Sequence, residues 1–198
     1  MQNGLKHNSF NDYRRYCTKK VKKMRMKLGW KYGKKVYTKK DFKVETPHLL
    51  EHLYIPLYNS EKYWAFAMEL KQVPSNVKHG NKIRYNIRKK LKKAVQWSKE
   101  FSSMCERVDV KRTSLEGESQ KSFLEGLVAI EFKNYENALE HLLKSKKIML
   151  DLVEVAGVIE KAHLQEKIEQ IEHNIRFCKY NLRKFDSNMQ NELVEMQN

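Results

Sequence analysis

Residues 126–142 read GLVAIEFKNYENALEHL, and two small residues in that stretch decide the architecture. The approach of two packed helices is set by the side chains at their contact. Gly126 and Ala138 supply almost no side chain, so they predict two antiparallel helices lying close together. Their spacing places one in each helix, with a short connection near Lys133 and Asn134 between them.

Outward from this pair, helical periodicity covers roughly 114–132, 135–153 and 158–184. Gly126, Ala129, Tyr135, Ala138 and Leu142 fall at the small and aromatic positions of a tetratricopeptide repeat, with Ala and Leu at two of them. The opening Trp and closing Pro of that repeat are absent. The chain holds only seven Gly and three Pro in 198 residues, so breaks are few and helices long. The expected fold is all-α, with six or seven helices antiparallel in neighbouring pairs. It is tetratricopeptide-like, with a basic N-terminal helix and loop. One domain is expected over 1–198: helix and loop at 1–43, helical body at 44–187, tail at 188–198.

The N-terminal end has another character. Residues 13–40 read YRRYCTKKVKKMRMKLGWKYGKKVYTKK, with thirteen Lys or Arg and no acid. Residues 1–43 hold 15 Lys and Arg against Asp12 and Asp41, and residues 78–99 hold nine against none. The net charge of +16 is therefore two basic blocks on a mildly acidic body. A solvated face mixes signs, so such blocks are the footprint of a polyanion partner.

Within the first block, Phe10, Tyr13, Cys17, Val21, Met24 and Leu28 recur at helical spacing. Ser9 with Asp12 resembles a capping box, and Gly29 suits the left-handed residue after a helix. The basic residues fall off the apolar stripe. Arg15, Lys19, Lys22 and Lys23 lie opposite it, Lys20 and Lys27 flank it, and Arg25 is a candidate for a base edge. Residues 29–43 lose the period, and a small hairpin at 30–38 fits there. Thr46-Pro47 reads as the start of a second helix running toward Lys71, which Pro56 should kink or break. After the turn signal VPSN at 73–76, a third helix over 77–105 commits Ile83, Ile87, Leu91, Ala94, Phe101 and Cys105 to the core.

Several functions lose support. No apolar run nears the roughly 18 residues that span a bilayer, and the first ten residues lack an apolar signal core. Cys17, Cys105 and Cys178 show neither metal spacing nor a disulfide framework. His48, Glu51 and His52 spell the inverted zinc-protease pattern H-x-x-E-H, but no third ligand accompanies them. No phosphate loop or catalytic constellation is visible, so neither enzyme activity, metal nor cofactor is expected.

Lysines and arginines neutralise phosphates, and Trp30, Tyr32 or Tyr37 can stack on unpaired bases. The A-form major groove admits a helix only where a bulge, loop or junction widens it. A fixed basic helix therefore favours structured, irregular RNA. The alternative is a helical-repeat scaffold that binds a protein or an anionic membrane through the basic block.

GLKHNSFNDYRRYCTKKVKKMRMKLGW at 4–30 resembles the start of the RNA-binding domain of the sixty-eight-kilodalton subunit of the eukaryotic signal recognition particle. Gly4, Leu5, His7, Phe10, Tyr13, Arg14, Tyr16 and Cys17 carry the likeness. YWAFAMELKQ at 63–72, GLVAIEFKNYENAL at 126–139 and NIRFCKYNL at 174–182 extend it. The resemblance implies non-enzymatic binding and bending of the particle RNA near its three-way junction, in support of co-translational targeting to the endoplasmic reticulum. It implies the ribosome nearby, no membrane insertion, and a cytoplasmic protein with nucleolar passage. It implies other particle proteins as partners, including a seventy-two-kilodalton subunit bound through a C-terminal region beyond Asn198. The candidate RNA contacts are Arg14, Arg15, Lys19, Lys20, Lys22, Lys23, Arg25, Lys27, Trp30, Lys31, Lys34 and Lys35. The second block adds Lys82, Arg84, Arg88, Lys89 and Lys92.

Overall fold

The computed structural model describes residues 9–30, 50–73, 80–108 and 110–197, with side chains as far as 184. Among the described residues there are six α-helices and no strand: α1 (Phe10–Lys27), α2 (Leu50–Lys71), α3 (Gly80–Arg107), α4 (Lys111–Glu131), α5 (Tyr135–Glu154) and α6 (Val158–Gln197). The chain divides into two compact units, 1–117 and 118–198. The division falls inside α4, whereas the sequence suggested one domain with its internal boundary near residue 43. Lys31, Lys34, Lys35, Tyr32, Tyr37, His48, Thr46-Pro47 and positions 31–38 of the expected hairpin lie outside the described residues.

In the first unit α1 and α3 each pack on α2. Cys17 is fully buried and Val21 nearly so, the centre of the expected stripe. Phe10 and Tyr13 meet Trp64 edge-on at 5.6 and 6.3 Å, and Tyr16 meets Tyr58 at 6.2 Å. Later residues of α1 meet earlier residues of α2, so the two run antiparallel. Between α2 and α3, Leu53, Phe101, Met104 and Cys105 form a core cluster with Leu57 and Val108 against it. The start of α4 comes so near α3 that a Cβ on Gly117 would stand 3.0 Å from the Cys105 Cβ.

The ends of α1 meet one expectation and correct another. Gly29 has φ +67°; its N–H donates to Met26 O and that of Trp30 to Arg25 O, at 3.2 and 2.8 Å. This doubled closure needs a left-handed residue, which glycine adopts without a Cβ clash. At the other end Ser9 makes no side-chain cap bond. Its hydroxyl instead donates to Asp12 Oδ2 at 2.7 Å, because the short Asp side chain meets the hydroxyl before either reaches the backbone. Pro56 is a second correction: α2 runs through it unbroken. Its ring is buried, and Asn59 Nδ2 donates to Ile55 O at 2.9 Å across the same turn. Packing there outweighs the backbone bond that proline removes.

In the second unit the small residues do what their spacing requires. A Cβ on Gly126 would lie 2.8 Å from Leu142 Cγ and 3.4 Å from Ala138 O. Ser119 and Ser145 exchange side-chain-to-carbonyl bonds across the same α4–α5 contact, at 3.3 and 3.0 Å. Asn134 caps α5 by accepting from the Asn137 N–H. On α6, Ile168, Ile171, Ile175 and Cys178 are buried, and Tyr135 meets Phe177 edge-on at 6.0 Å. The helix continues to Gln197, where the sequence suggests a separate tail from residue 188. That stretch contains neither Gly nor Pro to stop it.

Candidate nucleic-acid interface

The basic residues of α1 separate into two sets by what they touch. Arg14 is turned inward: its Nε donates to Glu69 Oε2 at 2.7 Å, and its Nη2 to Glu69 Oε1 and Asn11 Oδ1, both at 3.3 Å. Its guanidinium also stands 4.8 Å from the Phe66 ring centre. Lys27 Nζ donates to Glu51 Oε1 at 2.8 Å. That bond holds the Glu51 carboxyl below its ordinary pKa. Next to Arg14, Tyr13 donates to Glu61 Oε2 at 3.2 Å. Burial, and then the Glu61 charge, raise the Tyr13 pKa; burial likewise pushes the Cys17 thiol up to about 12. Three carboxylates of α2 thus hold the inner side of α1 along its length.

The second set is exposed. Arg15, Lys19, Lys22 and Lys23 are open to solvent and lie on one side of α1, opposite Cys17 and Val21. Lys20 and Arg25 are half-buried on the flanks, with the Lys20 ammonium 5.3 Å from the Tyr16 ring centre. Arg25 sits close enough to α2 for its charge to act on Lys62. Trp30 is half-buried, its ring stacked 5.9 Å from that of His52 at an interplanar angle of 30°. The zinc-like motif is thus bound up in other contacts: His52 lies on Trp30 and Glu51 on Lys27.

On α3, Lys82, Arg84, Lys89 and Lys92 are exposed and Arg88 is half-buried. Lys89 Nζ stands 5.9 Å from the ring of Tyr85, which is itself 63% exposed. The expected stripe is on the inside, with Ile87, Leu91, Ala94, Phe101 and Cys105 buried.

Three cations were missed in the sequence. Lys90 Nζ lies 4.2 Å from the centre of the Phe66 ring that also carries Arg14. Lys62 and Lys93 lie 4.6 and 5.5 Å from that of Tyr63. The Lys62 pKa is lowered by burial first, then by the charges of Arg25, Lys93 and Lys90. The Lys90 pKa is lowered by burial, then by Lys93, Lys89 and Arg14. A signal existed: none of the three has an acid three or four residues away in sequence, so no intrahelical partner could neutralise it.

A helical unit that clamps one side of a basic helix with carboxylates and leaves the other side open defines a class of basic all-helical module. A family model described as RNA-binding signal recognition particle 68 matches residues 5–198. The chain belongs to this family. It is 30% identical over 188 residues to signal recognition particle subunit SRP68 of Dictyostelium discoideum and 29% identical to that of Drosophila melanogaster. The matches cover 92% and 91% of this chain. The chain spans about a third of the length of these curated relatives, 30% of each. Its fold is similar to the structure of the SRP68-RBD from Chaetomium thermophilum, with a TM-score of 0.72 at 21% identity. That match covers 94% of this chain and 90% of the other.

Proposed function

We propose that the chain is a non-enzymatic RNA-binding module of the signal recognition particle that binds and bends the particle RNA near its three-way junction. The observation that carries this is the division of α1. Carboxylates of α2 neutralise Arg14 and Lys27, and no carboxylate bond is formed by Arg15, Lys19, Lys22 or Lys23 among the described residues. Four uncompensated charges along one side of a docked helix suit a row of phosphates. Held rigid by α2, the helix favours an RNA groove already opened by a junction, because a regular A-form groove excludes it. The half-buried Arg25 and Trp30 stand at the end of the row where a base would be reached. Lys82, Arg84, Arg88, Lys89 and Lys92 of α3 extend the positive surface, and Lys20, Lys31, Lys34 and Lys35 belong to the same block. In the cell this activity serves co-translational targeting to the endoplasmic reticulum, alongside the other particle proteins and near the ribosome. The protein is cytoplasmic, with nucleolar passage during assembly.

The test compares affinity for the junction RNA and for a plain duplex of equal length, over a salt series. Tighter junction binding at every salt concentration is expected. Equal affinity would reduce the basic helix to a non-specific polyanion contact. Sedimentation with anionic liposomes in place of RNA would move the role to a membrane surface.

A further inference from the structure

The cations of this unit are held in two chemically different ways. Arg14 and Lys27 rest on carboxylates, which cancel their charge. Lys62, Lys90 and Lys93 rest on aromatic rings, and a ring attracts a cation through its quadrupole without cancelling the charge. Lys62 Nζ has a single hydrogen bond among the described residues, to the neutral Asn59 Oδ1 at 3.0 Å. No carboxylate pairs with Lys62, Lys90 or Lys93 among the described residues. Tyr63 and Phe66 lie three residues apart, on one side of α2. The two rings therefore gather ammonium groups from α2 and α3 beside Arg14 of α1.

Crowding like charges without a counter-ion is unfavourable, and burial together with the neighbouring cations lowers the pKa values of Lys62 and Lys90. An external anion would remove it. Because ammonium groups already occupy the rings, the rings are poorly placed to stack on bases. The arrangement fits the phosphodiester backbone.

We propose that Lys62, Lys90 and Lys93, seated on Tyr63 and Phe66, form a second phosphate-binding strip, continuous with α1, that takes a backbone segment of the same RNA. This rests on RNA binding by α1. The strip adds affinity and salt dependence without adding base preference, and α2 becomes part of the interface as well as the support for α1.

The test uses the full chain with the junction RNA, in a salt series. The double substitution Lys90→Gln, Lys93→Gln keeps side-chain length and removes two charges. It should flatten the salt slope by about 1.4 to 1.8 units, from roughly 0.7 to 0.9 per phosphate contact. Affinity near physiological salt should fall on the order of tenfold, and equally for junction and duplex RNA. The melting temperature of the free protein should hold or rise, because repulsion around Lys62 is relieved. Lys144→Gln, on the Glu118 carboxylate of the second unit, should leave the slope unchanged. A flattened slope after Lys19→Ala, Lys22→Ala, Lys23→Ala with no effect of the α3 pair overturns the strip while α1 stands. No change of slope in either variant overturns both.

Discussion

The two units treat their cations differently. Residues 118–198 carry 11 Lys and Arg against 14 Asp and Glu. There Lys144 meets Glu118 at 2.8 Å, Lys146 meets Glu172 at 2.7 Å, and Arg176 also reaches Glu172. These pairs hold the Glu118 and Glu172 carboxyls below their ordinary pKa. Residues 1–117 carry 29 against 10. In that unit acids of α2 are used against α1's inner side, Arg112 meets Glu116, and Lys62, Lys90 and Lys93 lie on rings. An exposed ion pair adds little stability. The pairing in the second unit therefore matters less for folding than for what it removes, a field that would draw a polyanion. The first unit keeps that field.

The largest stability effect should come from the second unit, where packing and not charge does the holding. Gly126→Val puts two methyls into space already filled by the buried Leu142 and should cost about 2 to 3 kcal/mol. Gly80→Ala meets no atom within 4 Å and should stay within about 0.5 kcal/mol of the parent. Urea unfolding followed by circular dichroism measures both. Equal midpoints would break the claim that α4 and α5 touch through glycine.

Glu69→Gln removes the carboxylate that holds Arg14 at two points. The partly exposed pair should contribute roughly 1 kcal/mol, read by tryptophan fluorescence. All three tryptophans, Trp30, Trp64 and Trp97, lie within residues 1–117, so this signal reports the first unit alone. An unaltered midpoint would mean that aromatic packing of Phe10, Tyr13 and Tyr16 docks α1 unaided.

A smaller effect follows from pH. Burial first, then the charges of Glu116 and Glu106, push the Cys105 thiol up to about 12 from its ordinary 9.0. A raised folded value means the thiol's contribution is complete below pH 9.0 and is lost as pH rises toward 12. Cys105→Ala should make the fall in stability between pH 9 and 11 shallower, by at most about 1.4 kcal/mol per pH unit. The same pH series with tryptophan detection checks this, and identical slopes would place Cys105 in contact with solvent.

Much of the fold was legible because its signals are local. Gly29 ends α1 with the expected positive φ, Cys17 and Val21 mark its buried stripe, and Gly126 meets Leu142 where the spacing put it. What was illegible depends on distant partners. Arg14 and Arg15 are neighbours of one type, yet only Arg14 faces Glu69, 55 positions away. Lys62 has no other cation within eight residues of it in sequence. Only the packing of α2 against α1 and α3 gives it Arg25, Lys90 and Lys93 as neighbours. Pro56 reads as a break until its ring is seen in the core.

The central claim is that uncompensated charge on α1 meets RNA phosphates while the paired charge of the second unit does not. The direct measurement is the salt dependence of junction-RNA affinity for the parent chain and two triple variants. Replacing Lys19, Lys22 and Lys23 by Ala should flatten the slope by roughly two to three units. Replacing Lys144, Lys146 and Arg176 by Ala should leave it unchanged. Equal flattening by both, or none by the α1 variant, would contradict the account.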